Sequence, residues 1–80
     1  MQDTKHFRDM LQERNIRLDW VEETITEPDN VTDEEDGTRH YMKQIIDYGN
    51  RWLRVIVNPK KEPPVKITAF FDRRVRRMKK

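Results

Sequence analysis

Two histidines, His6 and His40, two tyrosines and seventeen lysines and arginines are the groups of this 80-residue chain, besides its carboxylates, that can move a proton or hold an anion. Neither Ser nor Cys occurs. The usual hydroxyl and thiol nucleophiles of acyl transfer are therefore missing, which argues against a hydrolase triad. Two histidines far apart and no thiolate argue against structural zinc, and Asp33, Glu34, Glu35 and Asp36 lack the alternate spacing of a calcium loop. With Gly37 and Gly49 as its only glycines the chain has no glycine-rich phosphate loop. No metal or cofactor is expected. What remains is recognition of anions: Arg39, Lys43 and Arg54 can meet phosphates while Tyr41 and Trp52 offer flat rings to unstacked bases. His6 and Arg14 fall about two turns apart on one side of a helical stretch, where an imidazole could pass a proton and a guanidinium could grip a phosphate. The plainer reading makes His6 a first-turn residue and Arg14 a cation at a helix C-terminus. His40 is open to the same two readings.

Charge is sorted along the chain. Between Asp19 and Asp36 there are nine carboxylates and no Lys or Arg, and the rest carries seventeen basic residues against six acidic ones. The net charge of +2 thus conceals a polarised molecule, suited to attract a polyanion on one side and repel it from the other. The end from Arg73 to Lys80 has six cations in eight residues, including Arg74, Arg76 and Arg77, and reads as an electrostatic arm for nucleic acid or a dock for an acidic partner. Without cysteine no disulfide can support a small core, so a cytoplasmic setting is expected. The charged N-terminus does not resemble a signal peptide, and no run approaches the roughly 20 apolar residues of a membrane span.

One domain over residues 1–80 must position these groups. Asp3 or Thr4 can cap a first helix that runs to about Asn15 with Phe7, Met10, Leu11 and Arg14 along one stripe. Asp19, with Glu22 three residues on, signals a second helix that carries Trp20, Val21, Thr24 and Ile25 on a shared face and ends at Pro28. The acidic stretch 29–37 can be a loop or a short edge strand. Two strands, 39–48 and 51–58, flank Gly49-Asn50, a two-residue hairpin signal that pairs Tyr48 with Arg51 and Ile46 with Leu53. This register puts Met42, Gln44, Ile46, Leu53, Val55 and Val57 under the helices. Arg39, Tyr41, Lys43, Ile45, Asp47, Trp52, Arg54 and Ile56 then share the opposite face, a basic and aromatic surface or a minor core under the C-terminal tail. A last strand, 65–71, places Val65, Ile67, Ala69 and Phe71 on its apolar side. The expected class is α+β: two N-terminal helices packed on a three- to four-stranded, mainly antiparallel meander.

The segments HFRDMLQERNI, WVEETITEP, RHYMKQIIDYGNRWLRVIV and VKITAFFDRR resemble an uncharacterised family of small bacterial proteins similar to the BrnT and RelE/ParE type toxins of toxin-antitoxin modules. The likeness covers nearly the whole chain. It implies a sheet whose exposed face binds RNA, in some cases in association with the ribosome, and Arg, Lys, His or Tyr side chains that help a 2′-hydroxyl attack the neighbouring phosphate without a metal. On that resemblance Arg51 or Arg54 and Arg73 or Arg74 would stabilise the phosphorane charge, and Tyr41, His6 or His40 would transfer protons. Arg14, Arg39, Lys43, Trp52, Arg76 and Arg77 would contribute to RNA binding, and an acidic antitoxin would cover the basic face. The alternative is a non-catalytic nucleic-acid-binding or protein-interaction module of the same fold.

Overall fold

The computed structural model of the chain describes residues 2–74. The Thr4 hydroxyl accepts a hydrogen bond from the Phe7 N–H at 3.1 Å, satisfying a helix-end donor, so α1 starts at Lys5 and spans Lys5–Glu13. Its stripe buries Phe7, Met10 and Leu11. Asn15 then takes the left-handed conformation (φ 57°), and the Ile16 N–H reaches back to the Leu11 carbonyl at 2.9 Å, a stop that brings Ile16 into the core.

The second helix, α2 (Leu18–Thr26), starts earlier than the Asp19 signal implies. Arg17 holds the cap position without a capping side-chain bond, and Asp19 lies in the first turn, paired with Arg17 at 2.9 Å. A carboxylate there still complements the positive end of the helix. Val21 and Thr24 are buried, and the Thr24 hydroxyl donates to the Trp20 carbonyl at 2.7 Å. Glu27 ends the helix just before Pro28.

The acidic stretch resolves into an edge strand, β1 (Asn30–Asp33), and its turn into β2 (Arg39–Ile45). With β3 (Arg51–Asn58) and β4 (Val65–Phe71) these make a four-stranded antiparallel meander in the order β1-β2-β3-β4. The fold is α+β, two helices followed by a meander sheet. Among the described residues no helix is long and apolar enough to cross a membrane.

The expected hairpin register is overturned. Ile45 pairs with Arg51 and Lys43 with Leu53, so the connection is five residues long rather than two. Gly49 and Asn50 do adopt positive φ (65° and 58°), but the preceding Ile46–Tyr48 winds into a 3₁₀ turn and leaves Ile46 78% exposed. Stacking of aromatic rings explains the longer turn. It carries the Tyr48 ring to 5.1 Å from Trp20 and 4.9 Å from Phe71, arrangements worth about 0.5–1.5 kcal/mol per pair beyond area burial.

The three-residue slip exchanges the faces of β2 and leaves those of β3 as expected. Tyr41 and Ile45 join Leu53, Val55, Val57 and Ala69 against Phe7, Met10, Leu11, Ile16 and Val21, whereas Met42 pairs with Trp52 in a smaller cluster on the outer face. Leu53 is fully buried. Leu53→Ala is therefore expected to cost about 2–5 kcal/mol, read as a lowered urea midpoint at unchanged slope.

A bulge at Ile56/Val57 revises β4 too. Val57 pairs with Lys66, so Lys66 goes under the helices and Ile67, expected on the apolar side, is 44% exposed. The Lys66 ammonium, its side chain 2% exposed, is held there by Asp3 and Glu22. A buried charge is tolerated only with such partners.

Candidate functional site

The outer sheet face carries a line of polar side chains that starts at the end of β4. Asp72, next to Phe71, is 5% exposed and accepts from Arg54 Nε at 2.8 Å; its backbone N–H donates to the Trp52 carbonyl at 2.8 Å. Arg54 Nη1 lies 2.8 Å from His40 Nδ1. His40 Nε2 is 3.2 Å from Thr38 Oγ1, which donates to Asp36 Oδ1 at 2.6 Å. An arginine has no acceptor and Thr38 spends its proton on Asp36, so the network assigns the His40 proton to Nε2 and the lone pair to Nδ1. The result is a neutral imidazole fixed in one tautomer, backed by a guanidinium and a carboxylate.

Beside this line, between the Gly49–Asn50 turn and the end of β4, opens a cleft of about 640 Å³. Trp52 and Asp72 form its inner wall, and Arg51 and Arg73 stand on its rim, both exposed. Arg51 lies over the Tyr48 ring at 4.8 Å. Arg74 bonds Asp72 with both its backbone N–H (2.9 Å) and its Nε (3.3 Å).

Of the residues expected to act together, His40, Arg51, Trp52, Arg54, Arg73 and Arg74 thus gather at the outer face and its cleft. Arg39, Tyr41 and Lys43 do not. The register slip places them on the helix side: Arg39 pairs with Asp33 at 2.6 Å, Tyr41 packs against the main core, and Lys43 Nζ donates to the Glu27 carbonyl at 2.9 Å. His6 is exposed on α1, across the sheet from His40. Arg14 caps α1 with its backbone N–H, which donates to the Met10 carbonyl at 3.0 Å, while its guanidinium leaves the helix end and donates to the Ala69 carbonyl of edge strand β4 at 2.9 Å and to Thr68 Oγ1 at 3.3 Å. Trp52 lines the cleft but is only 8% exposed, so it offers no open ring face for stacking. Arg76 and Arg77 lie outside the described residues.

Sequence reasoning missed Asp72, Thr38 and Asp36 as members of the line and Lys66 as a buried charge. The Asp72 carboxyl titrates below its ordinary 3.8: burial, the strongest single influence, pushes it up, but bonds from Arg74 and Arg54 together outweigh it. Lys66 sits above its ordinary 10.5; burial is again the strongest influence and lowers it, but Asp3 and Glu22 together win. A carboxyl lowered on folding adds stability that is present above its ordinary value and lost as pH falls through the folded-state value. A raised lysine adds stability that is complete below 10.5 and lost as pH rises through its higher folded-state value. Urea midpoints should accordingly show the gap between wild type and Asp72→Asn narrowing only in acid, and that between wild type and Lys66→Met narrowing only in strong alkali.

Neither a curated protein nor a solved structure matches the chain. One family profile does, over residues 4–71, from the Thr4 cap through the last residue of β4. By that match across most of its length, the chain belongs to the family described as Domain of unknown function (DUF4258).

Proposed function

We propose that the chain is a toxin-like, metal-independent endoribonuclease of a toxin-antitoxin module, which binds single-stranded RNA on its outer sheet face and cleaves it at His40 and Arg54. The observation that carries this reading is the His40 Nδ1 atom held 2.8 Å from the Arg54 guanidinium on the face the helices leave uncovered. A base beside a cation is what attack by an RNA 2′-hydroxyl needs. An incoming phosphate draws the Arg54 N–H toward itself and frees the Nδ1 lone pair. The 2′-hydroxyl then gives its proton to Nδ1, the O2′–P bond forms, the P–O5′ bond breaks, and O5′ takes a proton from the imidazolium. The products are a 2′,3′-cyclic phosphate and a free 5′-hydroxyl, with no bond to the protein at any stage. The resemblance to BrnT and RelE/ParE type toxins supports the reading, as does a chain without Ser or Cys. In this reading an acidic antitoxin covers the same face.

The test is incubation of purified protein with single-stranded RNA in EDTA, with and without ribosomes. Cyclic-phosphate ends, and no cleavage of an all-2′-deoxy strand, are the expected result; intact RNA in every condition and unchanged growth on expression would overturn it. A second reading, binding without cleavage, is favoured by the fact that both ring nitrogens of His40 already have partners. It predicts RNA affinity that falls steeply with salt and no cut products.

A further inference from the structure

The arginines of the described residues divide into two groups by what holds them. Six of the eight have an oxygen partner: Arg8 with Asp3, Arg14 with the Ala69 carbonyl, Arg17 with Asp19, Arg39 with Asp33, and Arg54 and Arg74 with Asp72. The other two are Arg51 and Arg73, and both stand on the rim of the same cleft. Asp72 adjoins them, but its oxygens already accept from Arg54 and Arg74. Like charges gathered on one rim repel each other, and an anion between them relieves the repulsion. Arg51 is also oriented before any ligand arrives, because the Tyr48 ring 4.8 Å away supports its guanidinium and is itself stacked on Trp20 and Phe71.

From this arrangement we infer that Arg51 and Arg73 clamp a phosphate of the RNA next to the one being cut, with the attached nucleoside lodged in the 640 Å³ cleft. The inference rests on the RNA-binding part of the proposed function. Arg54 and His40 serve the reacting phosphate, and the Arg54–Asp72 pair separates it from the clamp, since Asp72 belongs to both the polar line and the cleft wall. Arg51 and Arg73 are positioning residues in this assignment, and the planar fork of each guanidinium suits a phosphate diester. Gly49 borders the cleft, and a Cβ built there meets nothing within 4 Å.

The experiment uses three probes: adenosine 3′-monophosphate, inorganic phosphate and a single-stranded RNA octamer. Titration with the nucleotide should shift the backbone amide resonances of Gly49, Asn50 and Arg51 and the indole N–H of Trp52, and inorganic phosphate should do so more weakly. Arg51→Ala and Arg73→Ala should each weaken octamer binding roughly tenfold at low salt and flatten the dependence of log affinity on log salt by about 0.7. Both side chains are exposed, and circular dichroism checks that the variants fold. Arg51→Lys should restore part of the affinity but not the geometry of the bound nucleotide. Unchanged octamer affinity in both Ala variants, shifts that map elsewhere, or inorganic phosphate binding as well as the nucleotide would overturn the clamp. Binding at the cleft with no cleavage leaves the clamp standing and removes the ribonuclease reading. Cleavage at the wild-type rate by the Arg51→Ala/Arg73→Ala double variant does the reverse.

Discussion

Asp72→Ala is expected to destabilise the fold by about 3–5 kcal/mol, the usual cost of removing one partner of a buried charge pair. Arg54 is the reason. Its side chain is 14% exposed and its Nε bonds Asp72 at 2.8 Å, so the variant would leave a guanidinium short of both water and a counter-charge. The Arg74 N–H would lose its acceptor as well. Urea unfolding measures the loss. The Asp72→Ala/Arg54→Met double variant should recover a large part of it, because the stranded charge goes with its partner and an apolar chain can cover Trp52 and Met42. If the double variant is no more stable than the single one, the cost arises from backbone geometry at the end of β4 and the pair itself is not the cause.

The second large effect is on the reaction. His40→Gln should slow RNA cleavage by about 10²–10⁴-fold, the range associated with loss of a general base, while changing octamer affinity little. Gln can still bridge Arg54 and Thr38 but cannot accept and return a proton at neutral pH. Tyr41→Phe and His6→Gln should leave the rate close to that of the wild type. Tyr41 packs in the core on the helix side of the sheet, and His6 stands on α1, so neither shares a surface with His40. Single-turnover rates with the octamer in excess protein decide between the three. A His40→Gln rate equal to that of the wild type, or a comparable loss in His6→Gln, would remove His40 from its role.

The elements were legible from the residues because each has a local cause. Thr4 caps, Asn15 stops, Pro28 interrupts, and Leu53, Val55 and Val57 form an unbroken aliphatic row at every second position of β3. On β2 that alternation is silent. The set Tyr41 and Ile45 is as apolar as Met42 and Ile46, so either can face the helices, and the choice fell to the hairpin turn. The Gly49-Asn50 signal was correct about backbone conformation and wrong about loop length, because stacking of Tyr48 on Trp20 and Phe71 connects residues that sequence distance keeps apart. The same holds for Lys66, whose burial depends on a bulge and on carboxylates 63 and 44 positions away. The site is half legible for this reason: residue type points to His40, Arg51, Trp52, Arg54, Arg73 and Arg74, the hairpin signal puts Arg39, Tyr41 and Lys43 on the wrong face, and nothing local marks Asp72.

The five-residue connection between β2 and β3 also determines which kinds of inherited change this chain can absorb. Helix packing holds β3 through Leu53, Val55 and Val57, so a turn one residue shorter would present β2 by its other face. His40 would pass beneath the helices, and Arg39, Tyr41 and Lys43 would emerge beside Trp52 and Arg54. Substitution at the solvent-exposed Ile46 leaves that parity intact, whereas loss of a single codon anywhere from Ile46 to Asn50 reverses it. Descendants of this sequence are accordingly free to vary the letters of the turn, and bound to conserve its count.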